Sequence, residues 1–371
     1  MDEKEVDWGA SGRVDEYEFV LVDPFTLQEG RHVEVKEGGS SLTWALDSDV
    51  QAQATLDMAH GDYIDYEGGG KHMMVRVYDT VTIGDFSRRY MLGTYFVSNI
   101  TSNSIYGGAD RKLTCYGPLY RYTEDVLAQD FARGVGYNVV TCINELITFD
   151  GGILRVGEGV PTSKTHTIDI FFPVGTNRME VLNTYAGWIN CSIFGDDDGE
   201  VLLEGYTPYS ERNPVYHFKD GDRSIHLEGI DWDTNRDEPI NRVVAYFSRD
   251  SKQDDDQFPL KDSVYIDLPE TESFSYEECG RRRTEVLNVS EPCSHEDLVA
   301  QAQKALDERS AAYLDITIEH AGVPFLRIGD VVRYTNSVDF ERLVDNRAVI
   351  TQMDIRSLDQ GLITQTKLRI I

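Results

Sequence analysis

Cysteine, proline and basic residues are scarce in this chain, and its apolar runs are short. The five cysteines among 371 residues (Cys115, Cys142, Cys191, Cys279, Cys293) stand far apart with no CxxC pair. That spacing excludes a disulfide framework and argues against a structural zinc site. The thiols are expected to be free and to act as small apolar fillers. Eleven prolines against 31 glycines and 20 tyrosines suit twisted strands and tight turns better than a helix bundle. No stretch approaches the roughly 18 apolar residues of a membrane span. The opening Met1-Asp2-Glu3-Lys4-Glu5-Val6-Asp7 has neither the basic nor the apolar region of a secretory signal. Thirty-five Lys and Arg face 65 Asp and Glu, a net charge of −30. So large an acidic excess excludes a general nucleic-acid binder, which needs cations to displace phosphate counterions. It also argues against docking on an anionic membrane.

What is present supports a folded core: 40% of residues are hydrophobic and 11% aromatic. The first third reads as β. Val33 and Val35 alternate with Glu34 and Lys36; Leu42, Trp44 and Leu46 share a face, as do Val50, Ala52, Ala54 and Leu56. Alternation of period two marks a sheet with one wet side. Residues 73–78, 91–98 and 112–116 continue it, so a small barrel or sandwich is expected to end near residue 120. The texture then changes. Thr123 is expected to cap a helix carrying Val126, Leu127 and Phe131 and stopped by Gly134. Further helices are expected at 139–147 and, capped by Asn177, through Asn190. A glycine-rich loop at 151–159, a strand at 167–172 and a hairpin around Gly195-Asp196-Asp197-Asp198-Gly199 complete an α+β insert over 121–205. Strands return at 223–229, 242–248 and 263–268. The longest helix follows, opened by the capping box Ser294-His295-Glu296-Asp297, and alternating segments run at 314–320, 330–335, 347–357 and 362–371. No strict repeat at a period of roughly 20–50 residues is visible.

Motifs that carry chemistry are absent or incomplete. Gly68-Gly69-Gly70-Lys71 lacks the upstream glycine and the following Ser or Thr of a phosphate loop, and Asp62, Asp65 and Glu67 would repel a phosphate. It reads as a glycine turn. Asp231, Asp233, Asn235 and Asp237 have calcium-loop spacing, but Arg236 and Arg242 stand where the turn glycine and bidentate Glu belong; the competing reading is a solvated acidic connection. Asp196-Asp197-Asp198 and Asp254-Asp255-Asp256 read as solvated turns. The eight histidines form no HxH or HExxH motif, and no GxSxG elbow occurs. The tryptophans read as core rather than as a sugar platform. No catalytic, cofactor-binding or metal-binding residue is assigned, and no cofactor is expected.

Three phrases and their order along the chain carry a resemblance. They are Met91-Leu92-Gly93-Thr94-Tyr95-Phe96-Val97, the helix-hairpin from Arg178 to Leu203, and the closing third. That third runs from a capped helix (294–309) through Tyr313-Leu314-Asp315-Ile316-Thr317-Ile318 and Pro324-Phe325-Leu326-Arg327-Ile328-Gly329-Asp330-Val331-Val332-Arg333-Tyr334 into a last hairpin. In this order the chain resembles the central baseplate-hub and tail-tip (tail-associated) proteins of tailed bacteriophages. The resemblance implies a mainly β fold with an α+β insert: a first barrel-like tube domain over 1–120, the insert over 121–205, and a second tube domain over 206–371. It implies a non-enzymatic homotrimer in the virion tail tip, made in the bacterial host cytoplasm. Its expected partners are the distal tail protein, the tail tube or tape-measure protein, and a separate tip, fibre or lysin protein. DNA would pass without specific binding, and no stable membrane insertion is expected. Because the chain stops at Ile371, just after the last strand, no C-terminal lysin is expected. A hexameric distal-tail adaptor and a carbohydrate-binding or carbohydrate-cleaving tail-tip protein are the rival readings.

Overall fold

The computed structural model describes the chain except residues 1–2, 4–5, 37, 60–72, 106–107, 222–223, 228–230, 236–239, 249–260, 272–273, 290–292, 311–312, 337–342 and 359–362. Only the backbone is described at 102–105, 108–110, 232–235, 248, 308, 313 and 343–344. Seven strands open the fold: β1 (Val14–Val22), β2 (Glu29–Val33), β3 (Ser41–Ala45), β4 (Ala52–Met58), β5 (Met74–Ile83), β6 (Phe86–Ile105) and β7 (Gly108–Tyr116). Period-two alternation sorts their side chains. On β3, Leu42 and Trp44 are buried, and on β4, Ala54, Leu56 and Met58, while Gln53 lies exposed on the opposite face. These strands run in the order β3-β4-β7-β6-β5-β1-β2. After β2 the backbone turns back to β4, with Lys36 N donating to Asp57 O (2.6 Å) and Ala59 N to Glu34 O (2.9 Å).

An insert follows: α1 (Tyr120–Thr123), β8 (Phe131–Arg133), α2 (Val139–Thr148), β9 (Leu154–Val156), β10 (Ile170–Phe172), α3 (Arg178–Trp188), β11 (Cys191–Gly195) and β12 (Val201–Gly205). Asn138 and Asn177 cap α2 and α3 by accepting backbone N–H bonds, Asn138 from Thr141 and Asn177 from Met179 and Glu180. The helix expected to start at Thr123 is absent; Thr123 ends the short α1, and Phe131 belongs to β8. Pairing of β8 with β10 overrides the local helical pattern there.

A repeat hidden from the sequence reading organises this insert. At an offset of 39 residues, Asp130 and Val135-Gly136-Tyr137-Asn138 recur as Asp169 and Val174-Gly175-Thr176-Asn177. Gly136 and Gly175 share a positive φ (+84° and +88°). The two copies cross-bond reciprocally. Asp169 accepts from Val135 N (3.1 Å) and Asp130 from Val174 N (2.8 Å). Gly136 N donates to His166 O (2.8 Å), as Gly175 N does to Leu127 O (2.9 Å), and the bridge Asn138–Thr165 mirrors Asn177–Val126. The insert is therefore an internal pair related by a local twofold. Its own core gathers Ile143, Ile147, Val181, Leu182 and Tyr185, all at or near zero exposure.

The chain then gives β13 (Tyr216–Phe218) and β14 (Asp231–Asn235), followed by β15 (Arg242–Ser248), β16 (Lys261–Asp267), α4 (Tyr276–Cys279), β17 (Thr284–Asn288) and α5 (His295–Arg309). Strands β16-β15-β17 form a separate sheet. Helix α5 buries Leu298, Ala302 and Leu306 against Val243, Ala245 and Phe247 of that sheet, and Ser294 caps it by accepting from Asp297 N. The sheet and α5 interrupt a single hairpin, since β14 pairs with β18 (Tyr313–Ala321) on the far side. The ending strands are β19 (Val331–Asn336), β20 (Leu343–Ile355) and β21 (Ile363–Ile370).

The two strand-rich ends are not separate bodies. Strand β20 pairs with β3, Met353 opposite Trp44. One thirteen-stranded sheet thus runs β14-β18-β21-β20-β3-β4-β7-β6-β5-β1-β2, with β19 and β13 branching from β20. One apolar core serves both ends. At its centre Trp8, with zero exposure, meets Phe86 and Tyr90 of β6 and Phe325 of the carboxy-terminal part edge-on at 5.8–6.1 Å. The fold is mainly β with a small helical insert, as expected. Among the described residues, however, the strand ladders close no barrel, which corrects the pair of barrel-like domains that the resemblance implies: β20 pairs β3 instead of closing on its own end of the chain.

Candidate assembly junction

The residues singled out in the sequence do not converge on a reaction centre. Asp231 to Asn235 lie in extended backbone on β14, hydrogen-bonded to β18, rather than in a connection or a calcium-type turn. Gly68 to Lys71 and Asp254 to Asp256 fall outside the described residues. His166 is buried in the insert beside Cys142 (3.5 Å) and Tyr185, His320 is buried in the main core, and His295 pairs with Asp262 (2.9 Å). Among the described residues no three His, Cys, Asp or Glu side chains group to hold a metal. Cys115, Cys142 and Cys191 are buried free thiols, Cys293 is buried too, and burial pushes the Cys115 thiol up to about 12. Trp8 and Trp44 are buried in the core.

One acidic run does more than expected. Asp196-Asp197-Asp198 sits at the tip of the β11–β12 hairpin, and that turn is docked rather than solvated. The Arg327 guanidinium pairs with the Asp197 carboxylate and also donates to Pro324 O (2.8 Å), Leu326 O (2.8 Å) and Met91 O (3.0 Å). The Thr94 hydroxyl donates to Asp197 O (2.6 Å). Arg76, buried on β5, donates to Thr94 Oγ1 (2.9 Å), Asp198 O (2.6 Å) and Glu29 (3.1 Å). Gln51 holds the same hairpin from another side, donating to Ile193 O and accepting from Gly195 N, both at 3.1 Å.

The three phrases quoted above as carrying the resemblance therefore meet at one point. Met91 to Thr94 come from the amino-terminal sheet, Asp197 from the insert and Arg327 from the carboxy-terminal turn. Burial raises the Asp197 carboxyl while Arg327 works against it. Asp330, which accepts from Arg327 N (2.8 Å), is pushed up to about 6 by burial. Glu29 is held below its ordinary range, first by the Tyr78 hydroxyl, with Arg76 adding to it. A second set of bonds ties the insert to α5: Lys164 to Asp297 (2.7 Å), Lys304 to Cys191 O (2.9 Å) and the Tyr206 hydroxyl to Asp307 (3.2 Å). Chemically these are polar contacts that tie the amino-terminal strands, the insert, α5 and the carboxy-terminal turn to one another.

Clefts between the parts are lined by both charges. A cavity of about 630 Å³ beside the junction is bordered by Glu204, Arg212, Arg327 and Asp330, and one of about 670 Å³ lies among the main sheet, the insert and α5. Sequence reading gave no role to Arg76 and Thr94, because isolated polar residues on strands give no pattern, nor to Gln51, which sits at positive φ in the turn before β4. Asp79 had a readable signal: it alone interrupts the inward row Val75, Val77, Val81.

No family model matches the chain, and no curated protein does. Among solved structures, a tail protein from Neisseria meningitidis MC58 superposes over 95% of this chain and 96% of its own, with a TM-score of 0.63 at 14% identity. The 43 kDa tail protein of prophage MuSo2 from Shewanella oneidensis covers 95% and 98%, at TM-score 0.59 and 15% identity. Prophage tail protein gp18 from Listeria monocytogenes EGD-e covers 95% and 94%, at TM-score 0.58 and 11% identity. The chain has the fold of these tail proteins.

Proposed function

We propose that this protein is a structural hub of a phage or prophage tail tip or baseplate, without catalytic activity of its own. The observation carrying this reading is the end-to-end likeness to tail proteins, which spans nearly the whole of both chains in each superposition. The inter-part bonding supports it: an insert held to both ends of the main sheet and to α5 suits a load-bearing joint. In this reading three copies form a ring that connects the tail tube and distal tail ring to a separate host-contacting tip, fibre or lysin. DNA passes through the ring without specific contacts. A net charge of −30 fits that passage, because carboxylates repel phosphates where Lys and Arg would hold them. The protein would work in the virion after synthesis in the host cytoplasm; no described helix is long and apolar enough to cross a membrane. The division into 1–120, 121–205 and 206–371 is proposed on the same footing.

Native mass measurement followed by microscopy of the particle tests the reading. Three copies around an axial hole at the tail tip are expected. A six-copy ring between tube and hub would replace this reading with the distal adaptor. Turnover of host-wall glycans that disappears with a single Asp or Glu substitution would replace it with a carbohydrate-cleaving protein.

A further inference from the structure

On β5 the inward row reads Val75, Val77, Asp79, Val81, all with zero exposure. Neither carboxyl oxygen of Asp79 meets a donor N–H or hydroxyl. Its neighbour is another acid. Asp79 stands opposite Tyr17 of β1, and Asp15 lies two residues along the same face, close enough for a carboxyl–carboxyl hydrogen bond. Such a bond needs a proton on one partner, since two carboxylates offer acceptors only. Asp15 is already committed to Arg13, which reaches it through Nε (3.0 and 2.9 Å) and Nη2 (2.7 Å), both side chains nearly buried. Arg13 also donates through Nη1 to Trp8 O (3.1 Å) and Gly322 O (2.5 Å). It thus pins the segment over residues 6–13 across the seam between the amino- and carboxy-terminal strands.

Tyr17 faces Asp79 from β1 with its hydroxyl buried, and the other described polar groups nearby are committed elsewhere. From β6, Tyr90 faces it and donates its hydroxyl to Glu3 (2.8 Å), which Arg88 also pairs (2.6 Å). On β18, beyond Arg13, His320 bonds Thr366 Oγ1 and Ala321 O (2.8 and 2.7 Å).

We propose that the proton shared by Asp79 and Asp15 is the pin of a clasp: while it is present Arg13 holds residues 6–13 to the turn at 322–325, and its loss loosens that seam. Ionised Asp79 would place a second buried negative charge beside Asp15 with only one guanidinium between them. Opening the seam to water relieves it. Burial first, then the Asp15 charge, pushes Asp79 up to about 8, whereas an exposed aspartic acid titrates near about 3.9. Between those values the closed form keeps the proton and the open form has lost it. Opening then becomes about tenfold more favourable per pH unit, and this group adds no pH dependence outside the window. The clasp is tightest in acid and loosest in alkali.

Hydrogen exchange of the full chain, corrected for intrinsic rates and followed from about pH 5 to about pH 9, reads it out. Relative to amides of α2 and α3, protection over 6–13 and 322–325 is expected to fall about tenfold per pH unit until near pH 8, then level off. In Asp79→Asn, which keeps a neutral donor toward Asp15, this component is expected to vanish. Matching profiles in the two proteins would overturn the clasp. If the variant does not fold, infrared spectroscopy of the unaltered protein decides. A protonated-carboxyl band that titrates near pH 8 supports the pin, and its absence at neutral pH removes it. Neither readout depends on the tail-protein reading.

Discussion

Single residues carry strain and titration that composition hides. Gly93, within the Met91 to Val97 phrase, adopts φ +140°, and a Cβ there would fall 2.6 Å from the Tyr95 hydroxyl, which is itself buried and donating to Leu92 O (2.9 Å). Gly93→Ala is expected to cost about 2 kcal/mol or more of unfolding free energy, and urea denaturation checks it. His320 supplies a pH slope opposite in sign to that of Asp79. Burial depresses it to about 4 against about 6.5 for an unfolded chain, so the native state binds fewer protons inside that interval. Its contribution is complete above the upper value and is lost as pH falls to the lower one, at about 1.4 kcal/mol per pH unit. His320→Gln, which can still bond Thr366, is expected to remove that rise and leave thermal stability falling with pH across the interval, as the raised Asp79 dictates; an unchanged slope would assign it to other groups.

Elements show where reading from sequence succeeds. Helices α2, α3 and α5 were legible because Asn177 and Ser294 announce their starts and an apolar stripe follows. Strands β8 and β9 were not, since each has three residues and exists only through pairing with a distant segment, whereas β10 falls inside the strand expected at 167–172. The docked acidic turn escaped for a related reason: three successive aspartates look solvated until Arg327, 130 residues away, is known to lie beside them. Asn138→Ala and Asn177→Ala are each expected to cost about 1 kcal/mol, with similar shifts in the same calorimetric transition because the two caps occupy equivalent places. Arg327→Ala leaves the half-buried Asp197 without its cation and three backbone carbonyls without a donor, and is expected to destabilise by about 1–2 kcal/mol. Asp197→Asn added to it is expected to restore part of that loss, which a double-mutant cycle measures.

At the scale of the whole molecule, alternation and turn chemistry revealed the β class and the order of the phrases. They did not reveal that the ends share a sheet. The β3–β20 pairing joins residues about 310 apart, for example Trp44 and Met353, and no local pattern encodes it. Cutting the chain between those ends is therefore not expected to yield two independent folded halves. Residues 1–120 expressed alone would expose Leu42 and Trp44 beside the unpaired edge of β3 and are expected to aggregate, which light scattering can follow.

The 39-residue duplication of the insert has a consequence for its evolution and engineering. Each copy lends the other the strand and the capping loop that finish it, so neither is self-sufficient. Excising one copy leaves an incomplete unit whose missing complement is an identical segment on another polypeptide. The expected product is a reciprocally exchanged two-chain pair, a route by which an internal joint becomes a point of union between molecules.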